Sequence, residues 1–160
     1  MPKIAVIYYS KTGNTKKMAE FIAVAAEAAG AEVSLIPADE ATPDHMHAAD
    51  GIIIGSPTYY GHSAGPIRTL FDQSVKYHGK LAGKVGGAFT SSHNLAGGNE
   101  TTMMDILESM LVHGMIIQGN YDGDHYGPVA IGSPDRRAEI QCRQLSERVV
   151  KLLNKIGTKS

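Results

Sequence analysis

The chain has 160 residues, 42% hydrophobic and 19% charged, with a net charge of -1. That balance excludes an intrinsically disordered chain and leaves no charge excess to draw nucleic acid or an anionic membrane. No apolar run approaches the roughly 20 residues that span a bilayer, and the single cysteine, Cys142, has no internal disulfide partner, which matches a reducing cytoplasm.

The length suits one domain over residues 1–160. Met1-Pro2-Lys3 runs directly into Ile4–Ile7, without the longer apolar core of a signal peptide. Lys3–Tyr9 is apolar and β-branched and predicts a first strand. Thr15–Ala29 carries Met18, Phe21, Ile22, Ala25 and Ala29 at helical spacing, and Gly30 is placed to stop that helix. Glu32–Pro37 predicts a second strand, Ala41–Ala49 a short helix, and Gly51–Gly55 a third strand whose Ile52-Ile53-Ile54 run suits burial on both faces. Pro66–Val75 reads as a helix, Val85–Thr90 as a fourth strand, Thr101–His113 as a helix and Met115–Gln118 as a fifth strand. Gly119–Pro134 has no period, and Arg136–Ile156 closes the pattern with a long amphipathic helix.

Five strands alternating with helices predict a doubly wound α/β fold, a parallel sheet covered on both faces. Ligands in such sheets bind beyond the carboxyl ends of the strands, so the loops after strands one, three and four carry the functional reading. The first, Ser10-Lys11-Thr12-Gly13-Asn14-Thr15, offers hydroxyls, an amide and a glycine turn just where a helix begins. Amide hydrogens and the helix dipole there stabilise a phosphate without an arginine. The loop lacks the Gly-Lys-Ser/Thr of a Walker sequence; the plain alternative is a turn with Thr15 as N-cap.

After strand three, Ser56-Pro57-Thr58-Tyr59-Tyr60-Gly61-His62 brackets two tyrosines with proline and glycine, which exposes a flat apolar face to an aromatic ring. The alternative is that both tyrosines pack on neighbouring helices. After strand four, Ser91-Ser92-His93-Asn94-Leu95-Ala96-Gly97-Gly98-Asn99 presents hydroxyls and close-approaching backbone to a polar ligand edge. Read alone, it is also a flexible connector with Asn99 as a cap.

Ser10-x-Thr12-Gly13-Asn14-Thr15 resembles the FMN phosphate loop of flavodoxins. Pro57-Thr58-x-Tyr60-Gly61 with Gly65-Pro66, Gly97-Gly98-Asn99-Glu100-Thr101-Thr102, His113-Gly114-Met115 and Tyr126-Gly127-Pro128 resemble the WrbA-type NAD(P)H:quinone oxidoreductases. The resemblance spans nearly the whole chain and implies a flavodoxin-like five-stranded sheet in the order 2-1-3-4-5. It implies FMN held by Ser10, Thr12, Gly13, Asn14 and Thr15 at the phosphate. Pro57, Thr58, Tyr59, Tyr60 and Gly61 would then lie at the ring, and Ser91, Ser92, His93, Gly97 and Gly98 at the ribityl and pyrimidine atoms. It also implies a homo-oligomer, dimer or tetramer, in which His113 lies near the ring of a neighbouring subunit. The chain departs from the family in being shorter, in lacking tryptophan, and at Tyr59 and His62.

The expected reaction is hydride transfer from NADH or NADPH through FMN to a quinone, both small-molecule partners, with no metal. A histidine can donate a proton to the acceptor, and the resemblance alone puts His113 ahead of His62, His93 and His125 as the catalytic residue; the alternative for each is a surface or capping residue, and His113 falls at a helix end. Asp44-His45-Met46-His47 has metal-like composition but no supporting Cys or Glu pair. The alternative is a flavodoxin-type electron carrier. Its charge-steered docking calls for a more acidic chain than this one, while the short length favours it. A response-regulator-like domain would need acids at the strand ends, where this chain has Ser, Thr and Tyr.

Overall fold

A computed structural model describes residues 1–157. The elements run β1 Lys3–Tyr8, α1 Asn14–Ala28, β2 Glu32–Pro37, α2 Pro43–Ala48, β3 Gly51–Pro57, α3 Gly65–Gln73, a 3₁₀ turn Ser74–Tyr77, β4 Val85–Ser92, α4 Asn99–Val112, β5 Ile116–Ile117, β6 Val129–Ile131 and α5 Arg136–Ile156.

The sheet is parallel throughout, in the order β2-β1-β3-β4-β5, as the resemblance implied. Its fifth position differs from the expectation. β5 pairs only with the start of β4, through Val85 and Gly86, while β6 pairs with the end of β4, through Thr90, Ser91 and Ser92. The fifth column is thus two short strands with residues 118–128 leaving the sheet between them. A three-residue strand is too short to show a period, so this stretch read as irregular.

Alternation along the strands builds two core layers. Ile4, Val6 and Tyr8 of β1 face Met18 and Ile22 of α1 and Leu145, Val149 and Leu153 of α5. Ala5 and Ile7, with Ile52 and Ile54 of β3, face Met46 of α2, Ile67 and Leu70 of α3 and Ile106 and Met110 of α4. The middle residue, Ile53, points the other way, so the isoleucine run fills both layers. Cys142 lies in the first layer, where burial pushes its thiol up to about 12.

Helix ends follow the local sequence. Gly30 closes α1 in the left-handed region (φ 97°), its N–H bonding Glu27 O at 2.9 Å while Ala31 N bonds Ala26 O at 3.0 Å, a Schellman closure. Thr42 and His45 cap α2 reciprocally, and Asp135 Oδ1 caps α5 through Ala138 N at 2.8 Å. α1 and α4 differ. Each opens on a left-handed glycine, Gly13 or Gly98, with no capping side chain, and both openings lie at the carboxyl edge of the sheet.

Candidate functional site

Beyond β1 the chain turns at Ser10–Gly13 and enters α1. Gly13 N donates to Ser10 Oγ at 3.1 Å, and Lys17 N begins the helical ladder on Gly13 O at 3.0 Å. Among the described residues, the N–H groups of Lys11, Thr12, Asn14, Thr15 and Lys16 have no acceptor. Unpaired donors at a positive helix end, beside the half-buried Ser10 and the exposed Thr12, are the donor set a phosphate needs. Thr15 is set deeper, 2% exposed, and its Oγ1 lies 2.8 Å from Ser91 Oγ, tying this loop to the end of β4.

The second loop leaves β3 along a hydroxyl relay. Thr90 Oγ1 donates to Ser56 O at 2.6 Å and therefore accepts from Thr58 Oγ1 at 2.9 Å, while Thr58 N donates to Ser91 O at 2.8 Å. Tyr59 and His62 then exchange both backbone hydrogen bonds at 3.0 Å, closing a two-residue hairpin. Tyr60 (φ 50°) and Gly61 (φ 80°) occupy the left-handed positions of a type I′ turn. An aromatic residue with positive φ is uncommon and costs about 1 kcal/mol or more. It leaves Tyr60 wholly exposed at the tip. Tyr59 stays partly packed, edge-on to Tyr9 with ring centroids 6.4 Å apart, and this burial, with Tyr9 beside it, raises its phenol above the usual range. Tyr60 therefore packs on no helix, and the aromatic contact of Tyr59 is with Tyr9, in the loop after β1.

The third loop is ordered by its own polar groups. Ser92 Oγ donates to Asn94 O at 2.9 Å and accepts from Asn99 Nδ2, and Gly97 N bonds Asn94 O at 3.2 Å. Asn99 is a buried first residue of α4 rather than its cap; Gly98 takes the cap position. His93 and Leu95 are exposed on the loop's outer side.

The stretch after β5 is pinned, not loose. Asp124, its side chain 10% exposed, pairs with Arg137 of α5 and accepts Val129 N at 2.9 Å, while Asp124 N donates to Gln141 at 3.0 Å. Pro128 O accepts Thr90 N at 3.0 Å, and Ser92 O accepts Gly132 N at 2.8 Å, so this segment braces the end of β4. His125 lies within this segment, its Nδ1 donating to Asn120 O at 2.7 Å.

Loops one, two and three thus meet at one edge, bringing together Ser10, Thr12, Gly13, Asn14, Thr15, Pro57, Thr58, Tyr59, Tyr60, Gly61, Ser91, Ser92, Gly97 and Gly98. His113, expected as the catalytic residue, is not at this edge of its own chain. It caps the far end of α4, two residues before Met115, whose neighbour Ile116 pairs with the beginning of β4. α4 must run back along the sheet before β5 can start, so His113 lies away from the three loops, buried against Ser74. The metal-like stretch is occupied otherwise: His45 caps α2, His47 stacks on Tyr77 with centroids 4.2 Å apart, and Asp44 bonds Lys76 and Tyr77. Sequence reading missed Thr90, which looked like strand core, and Asp105, the lone acid between Met103 and Ile106 of α4. An acid beside an apolar stripe was the available signal for Asp105.

A phosphate-ready loop after the first strand of a doubly wound sheet, beside two loops suited to a flat polar ring, defines a flavin-binding type of α/β domain. The chain belongs to the Flavodoxin domain family, which matches residues 5–130, a family that implies FMN as cofactor. It is 40% identical over 158 residues to a flavodoxin of Aquifex aeolicus (strain VF5), covering 93% of this chain and 85% of that one. It is 40% identical over 141 residues to an NAD(P)H dehydrogenase (quinone) of Sinorhizobium fredii, covering 74% of this chain and 71% of that one. Among solved structures, the flavodoxin, WrbA-like protein of Agrobacterium tumefaciens superposes with a TM-score of 0.81 at 27% identity, covering 97% of this chain and 99% of that one. No described helix is long and apolar enough to cross a membrane.

Proposed function

We propose that this chain binds FMN non-covalently and works as an NAD(P)H:quinone oxidoreductase. The observation that carries the reading is the set of amide hydrogens around Gly13 that have no acceptor among the described residues; N–H groups at a helix start have no intrahelical partner and are completed by a capping side chain, water or a ligand, and α1 has no capping side chain. When bound, FMN supplies hydride acceptance from a nicotinamide and electron delivery to a quinone.

The protein's own part is binding and orientation. The Ser10–Thr15 loop holds the phosphate. Pro57, Thr58, Tyr60 and Gly61 line the ring, with Tyr60 offering an unobstructed aromatic face. Ser91, Ser92, Gly97 and Gly98 meet the ribityl chain and pyrimidine edge, with His93 at their rim. The Thr58–Thr90–Ser56 relay stiffens the exit from β3, so the ring loop does not have to be ordered when the cofactor arrives.

A second reading, an electron carrier, is favoured by one comparison: the Aquifex flavodoxin aligns over 93% of this chain, against 74% for the quinone dehydrogenase. Anaerobic absorption spectra of the FMN-loaded protein during NADH or NADPH addition, followed by turnover with a benzoquinone, separate the two. Bleaching of the flavin band and steady turnover are expected. Flavin that stays oxidised with both nucleotides leaves the carrier reading, and protein that refuses added FMN ends both.

A further inference from the structure

The hairpin that presents Tyr60 is held from outside the site by a carboxylate that the proposed function does not use. Asp105 lies in the second turn of α4. Its Oδ2 accepts Ser63 N at 3.0 Å and also the Ser63 hydroxyl, and its Oδ1 faces Arg68 Nη1 at 3.4 Å. Arg68 is fixed in turn: Nη1 donates to Ser109 Oγ at 2.9 Å, and the guanidinium lies over the Phe71 ring at 5.5 Å.

Ser63 follows His62, the residue whose backbone closes the hairpin on Tyr59. It is buried, so its amide and hydroxyl depend on Asp105 rather than on water. The outgoing strand of the hairpin is anchored separately, by Thr58 N on Ser91 O. The returning strand is held at two points, by Asp105 on Ser63 and by Ser56 Oγ, which accepts Ala64 N at 2.8 Å; Asp105 holds the point nearer the turn, and so bears on the tilt of the turn that keeps Tyr60 in a strained conformation. Hydrogen bonds to a carboxylate in a partly buried place are the stronger kind.

Resting on the FMN reading, we propose that Asp105 is a positioning residue for the flavin ring: through Ser63 it sets where the Tyr59–His62 hairpin meets the cofactor, without touching it. The hairpin serves the ring and not the phosphate. Loss of Asp105 therefore weakens FMN and riboflavin by the same factor, unlike damage to the phosphate loop.

Flavin titrations of the wild type, Asp105→Ala, Asp105→Asn and Ser63→Ala test this, with FMN and riboflavin as probes and the visible spectrum of bound FMN as second readout. Asp105→Ala is expected to weaken both flavins about tenfold and to shift the bound spectrum. Asp105→Asn, which keeps an oxygen acceptor for Ser63 N, recovers most of the loss, and Ser63→Ala loses less than Asp105→Ala. Wild-type affinities and an unshifted spectrum in Asp105→Ala, with only a lower Tm, would overturn the proposal. Should Asp105→Ala not fold, Ser63→Ala decides in the same way: equal weakening of both flavins supports it, and none overturns it. A wild-type protein that binds neither flavin brings down the cofactor reading as well, and is seen before any substitution is made.

Discussion

A Cβ placed on Gly98 would stand 2.6 Å from the Cα of Gly61. The ring loop and the loop after β4 therefore touch backbone to backbone, and the turn that carries Tyr60 leans on the cap of α4. Two glycines 37 positions apart form one rigid edge of the site.

Gly98→Ala should cost more than Gly13→Ala for this reason. Both glycines have φ near 100°, but Gly98 also has no room, while a Cβ on Gly13 meets nothing within 4 Å. Gly13→Ala is expected to lose about 1 kcal/mol, from backbone strain alone. Gly98→Ala should lose about 3 kcal/mol, from strain and the displaced hairpin together. Urea denaturation of the two variants measures the difference; equal losses would show that the contact is slack.

Replacing the two threonine hydroxyls of the first loop tests the phosphate cradle. Thr12→Val with Thr15→Val is expected to weaken FMN about a hundredfold, at roughly 1.5 kcal/mol for each hydroxyl bonded to an anion, and riboflavin far less. Thr15→Val alone also strips Ser91 Oγ of its partner, so a stability loss near 1 kcal/mol accompanies it. Fluorescence titration with both flavins reads the result, and unchanged FMN affinity removes the cradle.

His113 makes the fold sensitive to acid. Ser74 Oγ already donates to Phe71 O at 2.6 Å, so His113 Nε2 must donate to Ser74 at 2.7 Å, leaving Nδ1 buried and without a partner among the described residues. Burial first, and His78 at 6.1 Å second, hold its pKa below the usual histidine value. The unfolded chain therefore takes up the proton before the native one does, and stability falls as pH drops below about 6.5. Urea midpoints should be lower at about pH 5.5 than at about pH 7.5. His113→Gln should shrink that difference; an unaltered difference assigns it to other groups.

Removing the Asp124 carboxylate should free the segment between β5 and β6. Asp124→Ala loses the Arg137 pair and the bond to Val129 N, at about 2 kcal/mol in stability. Limited proteolysis is the sharper measurement: faster cutting within residues 119–128 is expected while the rest of the chain resists. Wild-type resistance would mean that Gln141 and the β6 pairing suffice.

What the sequence by itself determined was local. Short continuous apolar, β-branched runs set β1 and β3, helical spacing set α1, α4 and α5 to within about two residues, and Gly30 marked its helix end. Strand–helix alternation placed the three polar loops together at one edge, because a parallel sheet has all its strand carboxyl ends on the same side. Tertiary structure alone decided what depends on residues distant in sequence. Thr15 meets Ser91 across 76 positions and Ser63 meets Asp105 across 42, while β6 exists because β4 offers it an edge. His113 sits at the far pole because α4 must retrace the sheet. Local patterns follow from each residue's own backbone and side-chain preferences; these other features follow from which surfaces the packed sheet brings within hydrogen-bond reach, and no window of sequence contains that.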